Sequence, residues 1–224
     1  MRIINVAIDG PSGAGKSSLA KKIAEKLGII YVDTGALYRS VGLYAKNNGI
    51  SIDEIRNTVG LLDGLKLDLC HENGVQKVIL NGEDVSSLIR TPEISMYASA
   101  VSAIPEVRAF LLGTQQNIAR EHSFIMDVRY IATVVLPNAD VKIYLTAHPK
   151  RRAERRYEDL KLKNPGITFD EVYNDMVERD KNDATREVAP AIKADDAILL
   201  DNTDLTEEET LDAAIRIITE KVSL

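Results

Sequence analysis

The chain has 224 residues, 45% of them hydrophobic, enough for one substantial core plus a smaller appended unit. A formal charge of −6 argues against a surface that coats nucleic acid, although a local basic pocket for a single nucleotide remains compatible with it. Cys70 is the only cysteine, which excludes an intrachain disulfide and fits a reducing cytoplasm. His71, His122 and His148 lie in polar stretches without metal-ligand spacing and read as surface residues. No run reads as a signal-peptide core or a membrane span, so a cytoplasmic protein with no membrane partner is expected.

In chain order, Ile3 to Ile8 is apolar and β-branched, as a parallel strand buried on both faces should be. Gly10-Pro11-Ser12-Gly13-Ala14-Gly15-Lys16-Ser17 follows, with Ser18 next, and then Leu19, Ile23 and Leu27 recur at helical spacing before Gly28 as a C-cap. Strand, glycine loop and helix together are the context of a P-loop. Its glycines let backbone N–H groups turn inward toward phosphate oxygens, and the helix N-terminus adds partial positive charge at the same spot. Lys16 is placed to reach β/γ-phosphates and the Ser17 hydroxyl to ligate Mg²⁺.

Further short apolar runs at Ile29–Val32, Phe124–Met126, Val141–Leu145 and Ala197–Leu200 complete a five-stranded parallel sheet. Several runs end in aspartate, on the edge where doubly wound folds bind ligands. Asp33 and Asp127 belong to longer motifs, whereas Asp9 and Asp201 read as ordinary residues where a strand passes into a loop. Leu37, Val41 and Ala45 form a helical stripe closed by Gly49, and capping boxes stand at Ser51–Glu54, Thr168–Glu171 and Thr206–Glu209. Leu65 to Leu69 alternates, Asn73-Gly74 supplies a turn and Val75 to Leu80 returns, which predicts an antiparallel hairpin. Thr91-Pro92 starts a helix with threonine at N-cap.

The fold class expected is therefore α/β: a P-loop NTPase fold with an inserted α+β subdomain and a helical lid. Its core spans 1–60, 123–147 and 191–224, the insertion 61–122 and the lid 148–190, all within one domain. The lid reading rests on a basic helical hairpin, with Arg151, Arg152, Arg155 and Arg156 after Pro149, a turn at Asn164-Pro165-Gly166, and a charged run from Arg179 to Arg186. Such a lid is expected to move, because two anionic substrates must be joined with water excluded.

A P-loop alone specifies triphosphate binding, not the reaction. Neither an Asp-x-x-Gly switch nor an Asn-Lys-x-Asp base-reading string accompanies it, which removes the GTPase reading. Phe124-Ile125-Met126-Asp127 is the candidate acidic strand end, with Asp127 holding Mg²⁺ directly or through water. A small-molecule kinase remains, and transfer to a phosphate-bearing acceptor asks for clustered arginines, whose planar forks bind phosphate bidentately. Arg39, Arg108, Arg129, Arg155, Arg179 and Arg186 are the candidates, whereas Arg151 and Arg156 read as solvated helix faces. Arg155 also has Asp159 at i+4, the spacing of an ordinary helix-surface pair.

The chain resembles the bacterial-type cytidylate kinases of the nucleoside monophosphate kinase family. The resemblance rests on Ile8 to Ser18, Val32-Asp33-Thr34-Gly35-Ala36-Leu37-Tyr38-Arg39 and Leu80 to Val85. It continues through Ile89-Arg90-Thr91-Pro92-Glu93, Ile104 to Arg108, Glu178-Arg179-Asp180 with Asp183 and Arg186, and Val188-Ala189-Pro190. It implies transfer of the γ-phosphoryl of ATP to CMP or dCMP with Mg²⁺, in a protein expected to be a monomer without nucleic-acid partners. The insertion then corresponds to the monophosphate-binding subdomain. Carried over, Gly10 to Ser18 hold ATP, and Lys16, Asp127, Arg129 and Arg155 serve the transfer. Thr34, Arg39, Arg129 and Arg186 hold the acceptor phosphate, Ser99 and Arg108 touch cytosine, and Arg179 and Asp183 bind ribose.

One segment departs from the family pattern. Where members read Met-Asp-Gly-Arg-Asp-Ile-Gly-Thr, this chain has Met126-Asp127-Val128-Arg129-Tyr130-Ile131-Ala132-Thr133. In the family the second aspartate helps accept the cytosine amino group; Tyr130 puts a neutral phenol there, and two glycines become Val128 and Ala132. The expected consequence is retained kinase activity with reduced or shifted acceptor affinity. The alternatives are altered selectivity such as toward UMP, or a nucleotide-binding protein with impaired turnover.

Overall fold

A computed structural model describes residues 3–55, 58–72, 75–121, 123–127, 131–162, 164–185 and 192–222, with backbone alone for 71, 72, 75, 92, 118–121, 179 and 182. The elements run β1 (Asn5–Asp9), α1 (Lys16–Leu27), β2 (Ile30–Val32), α2 (Thr34–Asn47), β3 (Leu67–Glu72), β4 (Val75–Leu80), β5 (Glu83–Asp84), α3 (Pro92–Val101) and α4 (Pro105–Glu121). They continue with β6 (Phe124–Asp127), a π-helical turn (Ile131–Val135), β7 (Val141–Thr146), α5 (Pro149–Lys161), α6 (Phe169–Thr185), β8 (Ile198–Asp201) and α7 (Glu207–Val222). Contacts divide the chain into two units, Met1–Tyr31 with Ser123–Leu224, and Val32–His122.

The first unit is built on the expected five-stranded sheet, in the order β2-β6-β1-β7-β8. Its β1–β6, β1–β7 and β7–β8 pairs are parallel. Val6, Ala7 and Ile8 have no exposed surface, nor have Phe124, Ile125 and Met126, so these strands are buried on both faces. Leu19, Ala20 and Ile23 from α1 and Ala214 and Ile218 from α7 share one core with Val6, Ile8 and Ile125. The register sets Ile8 against Asp127 and Thr146 against Asp201, so the strand-end carboxylates lie along one C-terminal edge.

Helix starts follow their local chemistry. Thr206 Oγ1 accepts from Glu209 N–H while the Glu209 carboxylate accepts from Thr206 N–H, and Thr168 and Glu171 do the same before α6. Thr91 Oγ1 accepts from Ile94 N–H with Pro92 at the first helical position. At Ser51–Glu54 the Glu54 carboxylate accepts from both Ser51 N–H and Ser51 Oγ–H, and the described residues 52–54 form a turn. Gly28 closes α1 at φ 65.

In the second unit, β3 and β4 form the expected antiparallel hairpin, and β5 adds a third strand opposite Ile79 and Leu80 that the alternation did not reveal. α2 clusters with this unit, which runs Val32–His122. The reason is close helix packing: a Cβ at Gly42 would stand 2.9 Å from Tyr97 Cβ and 3.0 Å from Ala98 N, which lets α2 lie against α3. Leu37, Val41, Ile55, Val78, Ile89, Ile94 and Leu111 make the core beneath them.

Cys70 is exposed, and exposed His148 accepts from Lys150 N–H to cap α5. The side chain of His71, and all of His122, lie outside the described residues. Among the described residues no helix is long and apolar enough to cross a membrane.

Candidate active site

β1 delivers the chain into the glycine loop through Gly10, at φ 144, where a Cβ would fall 1.9 Å from the Leu145 carbonyl oxygen of β7. Gly13 and Gly15 also have positive φ, and Gly15 is the N-cap of α1 without a side-chain cap. No acidic residue occupies the first turn of α1, so its leading N–H groups and partial positive charge are available to an anion. Lys16 Nζ donates to the Pro11 carbonyl at 2.7 Å. Ser17 Oγ donates to Asp127 Oδ2 at 2.7 Å, and Tyr31 OH donates to Asp127 Oδ1 at 2.8 Å. The structure thus brings together two residues separated by 110 positions and adds Tyr31, which sequence reasoning missed.

Asp9 corrects an expectation. It is not an ordinary strand-end residue but fully buried, accepting from Ile131 N–H at 2.8 Å and Ala132 N–H at 2.9 Å. It therefore pins the π-helical turn that follows Asp127. Burial pushes its carboxyl up to about 6, against the two N–H donors and the Lys16 and Lys142 cations that favour the anion. The folded protein then binds more protons than the unfolded chain between the ordinary carboxylate value and that raised one, so this group's contribution to stability falls as pH rises from about 4 to 6. Asp9→Asn should flatten that slope in urea denaturation. A wild-type chain that gained stability relative to the variant over this range would contradict the assignment.

Beside the loop, α5 and α6 attach to it directly. Arg152, read earlier as one of a basic cluster, is 5% exposed and donates to Ala147 O, Ser12 O and Asp180 Oδ2 at 2.9, 2.7 and 2.5 Å. Asp180 Oδ1 accepts from Ser12 N–H at 3.0 Å. Arg155 does not take the helix-surface pairing with Asp159; it donates to Asn202 Oδ1 and O at 3.1 and 2.8 Å. Buried Asn202 in turn donates to Ala14 O. Alongside lies a cavity of about 640 Å³, lined by Gly13, Ser18, Lys22, Arg151, Arg155 and Arg156 among others. Arg151 and Arg156 are exposed, as expected of solvated helix faces, and border this cavity; Arg151 also pairs with Glu154.

The second unit carries its own charged cluster. Asp33 caps α2 through Ala36 N–H, and its Oδ2 pairs with Arg39 at 3.0 Å and Arg90 at 3.5 Å. Gln76 Oε1 accepts from Asp33 N–H. Thr34 is buried at the start of α2, and the buried Arg39 Nε has no hydrogen bond among the described residues. Ser99 is exposed near the end of α3. Arg108 is tied to the same junction by its Nε bond to Ser102 O, and Ser102 Oγ bonds Ser99 O.

The family model described as cytidylate kinase matches residues 6–220. The chain belongs to the cytidylate kinase family. A cytidylate kinase of Caldicellulosiruptor saccharolyticus is 46% identical over 217 residues, covering 97% of this chain and 96% of that protein. One from Geobacter sulfurreducens is 46% identical over 216 residues, covering 96% and 93%. The crystal structure of an uncharacterized protein from Eubacterium ventriosum aligns over 96% of this chain and 98% of its own at TM-score 0.51 and 15% identity, a likeness of fold.

Against the cytidylate kinase pattern, Ala132 is the substitution that the structure explains. It sits in the π-helical turn, 2% exposed, with its N–H on Asp9 and without the left-handed backbone that would have required glycine. Val128, Arg129, Tyr130 and Arg186 lie outside the described residues, as does the side chain of Arg179. Asp183 is half-buried on α6. Sequence reasoning missed Tyr31 and Asn202 beside the loop and the Arg152–Asp180 pair that braces it from outside, and Gln76 and Arg90 in the second unit. Arg90 and Asp180 did stand inside family-like motifs, which was the available signal.

Proposed function

We propose that this chain transfers the γ-phosphoryl group of ATP to CMP or dCMP, yielding CDP or dCDP and ADP. The observation that carries this reading is the Ser17–Asp127 pair beside an uncapped α1 N-terminus, in a chain matched to the cytidylate kinases over residues 6–220. The amides of residues 13–17 receive the β-phosphate, and Lys16 exchanges its Pro11 carbonyl for β/γ oxygens. The cavity of about 640 Å³ next to Gly13 and Ser18 has the size of a site for a ligand's base and sugar, and it receives those of ATP.

A hydroxyl and a carboxylate 2.7 Å apart are hard oxygen donors of the kind Mg²⁺ prefers, so Ser17 and Asp127 fit that ion. Bound there, Mg²⁺ supplies positive charge to the β- and γ-phosphoryl oxygens. The protein's own part is positioning and charge neutralisation. On the second unit, Thr34 and Arg39 hold the acceptor phosphate and Ser99 and Arg108 contact cytosine. To Arg129 and Arg186 we assign phosphate contacts, to Tyr130 the place of the base-binding aspartate, to Arg179 and Asp183 the ribose, and to Arg155 the transferring group.

A coupled ADP-release assay with Mg-ATP and a panel of CMP, dCMP and UMP tests the reading. CMP and dCMP should support turnover, with KM for CMP lowered in Tyr130→Asp, since that substitution restores a carboxylate acceptor for the cytosine amino group. The reading fails if no pyrimidine monophosphate promotes ADP release.

A further inference from the structure

The bond set around Ser12 does more than stabilise a loop. Both backbone polar groups of Ser12 are taken by lid side chains: its N–H by Asp180 on α6, its carbonyl by Arg152 on α5. The same two side chains pair with each other at 2.5 Å, with side-chain exposures of 6% for Arg152 and 21% for Asp180. The following residue is wedged as well, since a Cβ at Gly13 would stand 3.1 Å from both Arg152 O and Met176 Sδ. The bend of the phosphate loop is therefore set by where α5 and α6 stand, and a shift of either helix is transmitted to the loop. Separating the pair would leave the Arg152 charge uncompensated at that depth, which is strongly disfavoured.

We infer that Asp180 is a positioning residue that couples the phosphate loop to α6, so that filling the loop with a triphosphate alters acceptor affinity, and the reverse. This rests on the reading above in placing acceptor contacts at Arg179 and Asp183, the residues that flank Asp180 on α6. Asp180 itself touches neither substrate in this account. The coupling follows because one rigid helix carries both attachments, and coupling between two ligands is reciprocal.

The test is isothermal titration of CMP into the whole enzyme, with and without saturating Mg²⁺ and a non-hydrolysable ATP analogue. In the wild type the analogue should change the CMP Kd by roughly fivefold or more. In Asp180→Asn, which keeps an acceptor for Ser12 N–H but removes the partner charge of Arg152, that factor should fall toward one. The CMP Kd of the unloaded variant should stay within about threefold of wild type, and Asp180→Glu, which restores the charge, should recover part of the coupling. A purely structural pair would lower the melting temperature without moving the ratio of the two Kd values. Absence of coupling in the wild type, or full coupling in Asp180→Asn, overturns the inference while leaving the kinase reading intact. Should Asp180→Asn fail to fold, Asp180→Glu decides by the same ratio: a longer side chain should measurably weaken the coupling, and an unchanged ratio counts against it. Failure of the wild type to bind CMP at all would instead overturn the functional reading, and this inference with it.

Discussion

Lys16→Ala should lower kcat for CMP phosphorylation by about three orders of magnitude, because a charge placed for the developing γ-phosphoryl anion acts mainly in the transition state. In the structure Lys16 Nζ rests on the Pro11 carbonyl, a half-buried position at the loop rim whose carbonyl water can satisfy once the lysine is gone. The variant should consequently melt within a few degrees of wild type, roughly what an exposed-side substitution costs. Coupled ADP release at saturating CMP, read beside thermal denaturation followed by circular dichroism, separates these effects. Activity within about tenfold of wild type would remove Lys16 from the chemistry.

Gly10→Ala should have the largest effect on stability. The residue sits at φ 144, and an added Cβ would fall 1.9 Å from the Leu145 carbonyl oxygen, a backbone atom of a central strand that cannot step aside. Relief needs β1 and β7 to separate where Asp9 pairs with Tyr144. A cost of about 4 kcal/mol is expected from combined strain and overpacking, lowering Tm by roughly 10 °C or preventing accumulation of folded protein. Gly15→Ala is the control: it has positive φ but no atom within 4 Å of its Cβ, so it should cost about 1–2 kcal/mol. Equal Tm values for the two variants would mean that the Leu145 contact does not govern the position.

These effects bear on how function is distributed. Among the described residues four long-range ties, Ser17–Asp127, Asp180–Ser12, Arg152–Ser12 and Asn202–Ala14, converge on the eight residues of the phosphate loop. A mutation in α6 or after β8 is therefore expected to act on phosphate binding. Arg155, held by Asn202, is lowered from the ordinary guanidinium value chiefly by burial and then by the neighbouring Arg151 cation, and it stays charged near neutral pH.

Much of the architecture was legible because its determinants are local. Continuous apolar runs such as Val6-Ala7-Ile8 and Phe124-Ile125-Met126 distinguish strands covered on both faces from the alternating Leu65–Leu69 run of the half-exposed hairpin. Threonine–glutamate boxes place the starts of α6 and α7 through contacts three residues apart. The phosphate loop is likewise recognisable from short-range chemistry, a glycine run between its own strand and helix, although its bend is braced from α5 and α6. The packing of α2 against α3 across Gly42, by contrast, is a tertiary contact that no local spacing encodes.

What sequence alone determined was the sheet, the caps, the glycine cradle and the family pattern, for each is written in spacings of a few residues. Tertiary structure decided which charged side chains are buried partners and which face solvent. Asp9 and Asp201 end strands alike. Yet Asp9 is enclosed by a turn 122 residues away, while Asp201 bonds its near neighbour Thr203. Arg152 and Arg151 are adjacent in one basic run, but the helical turn between them points Arg152 at Ser12 and leaves Arg151 exposed beside Glu154. The physical reason is that a charge takes its role from the dielectric and donors around it, and only the assembled fold brings those neighbours in.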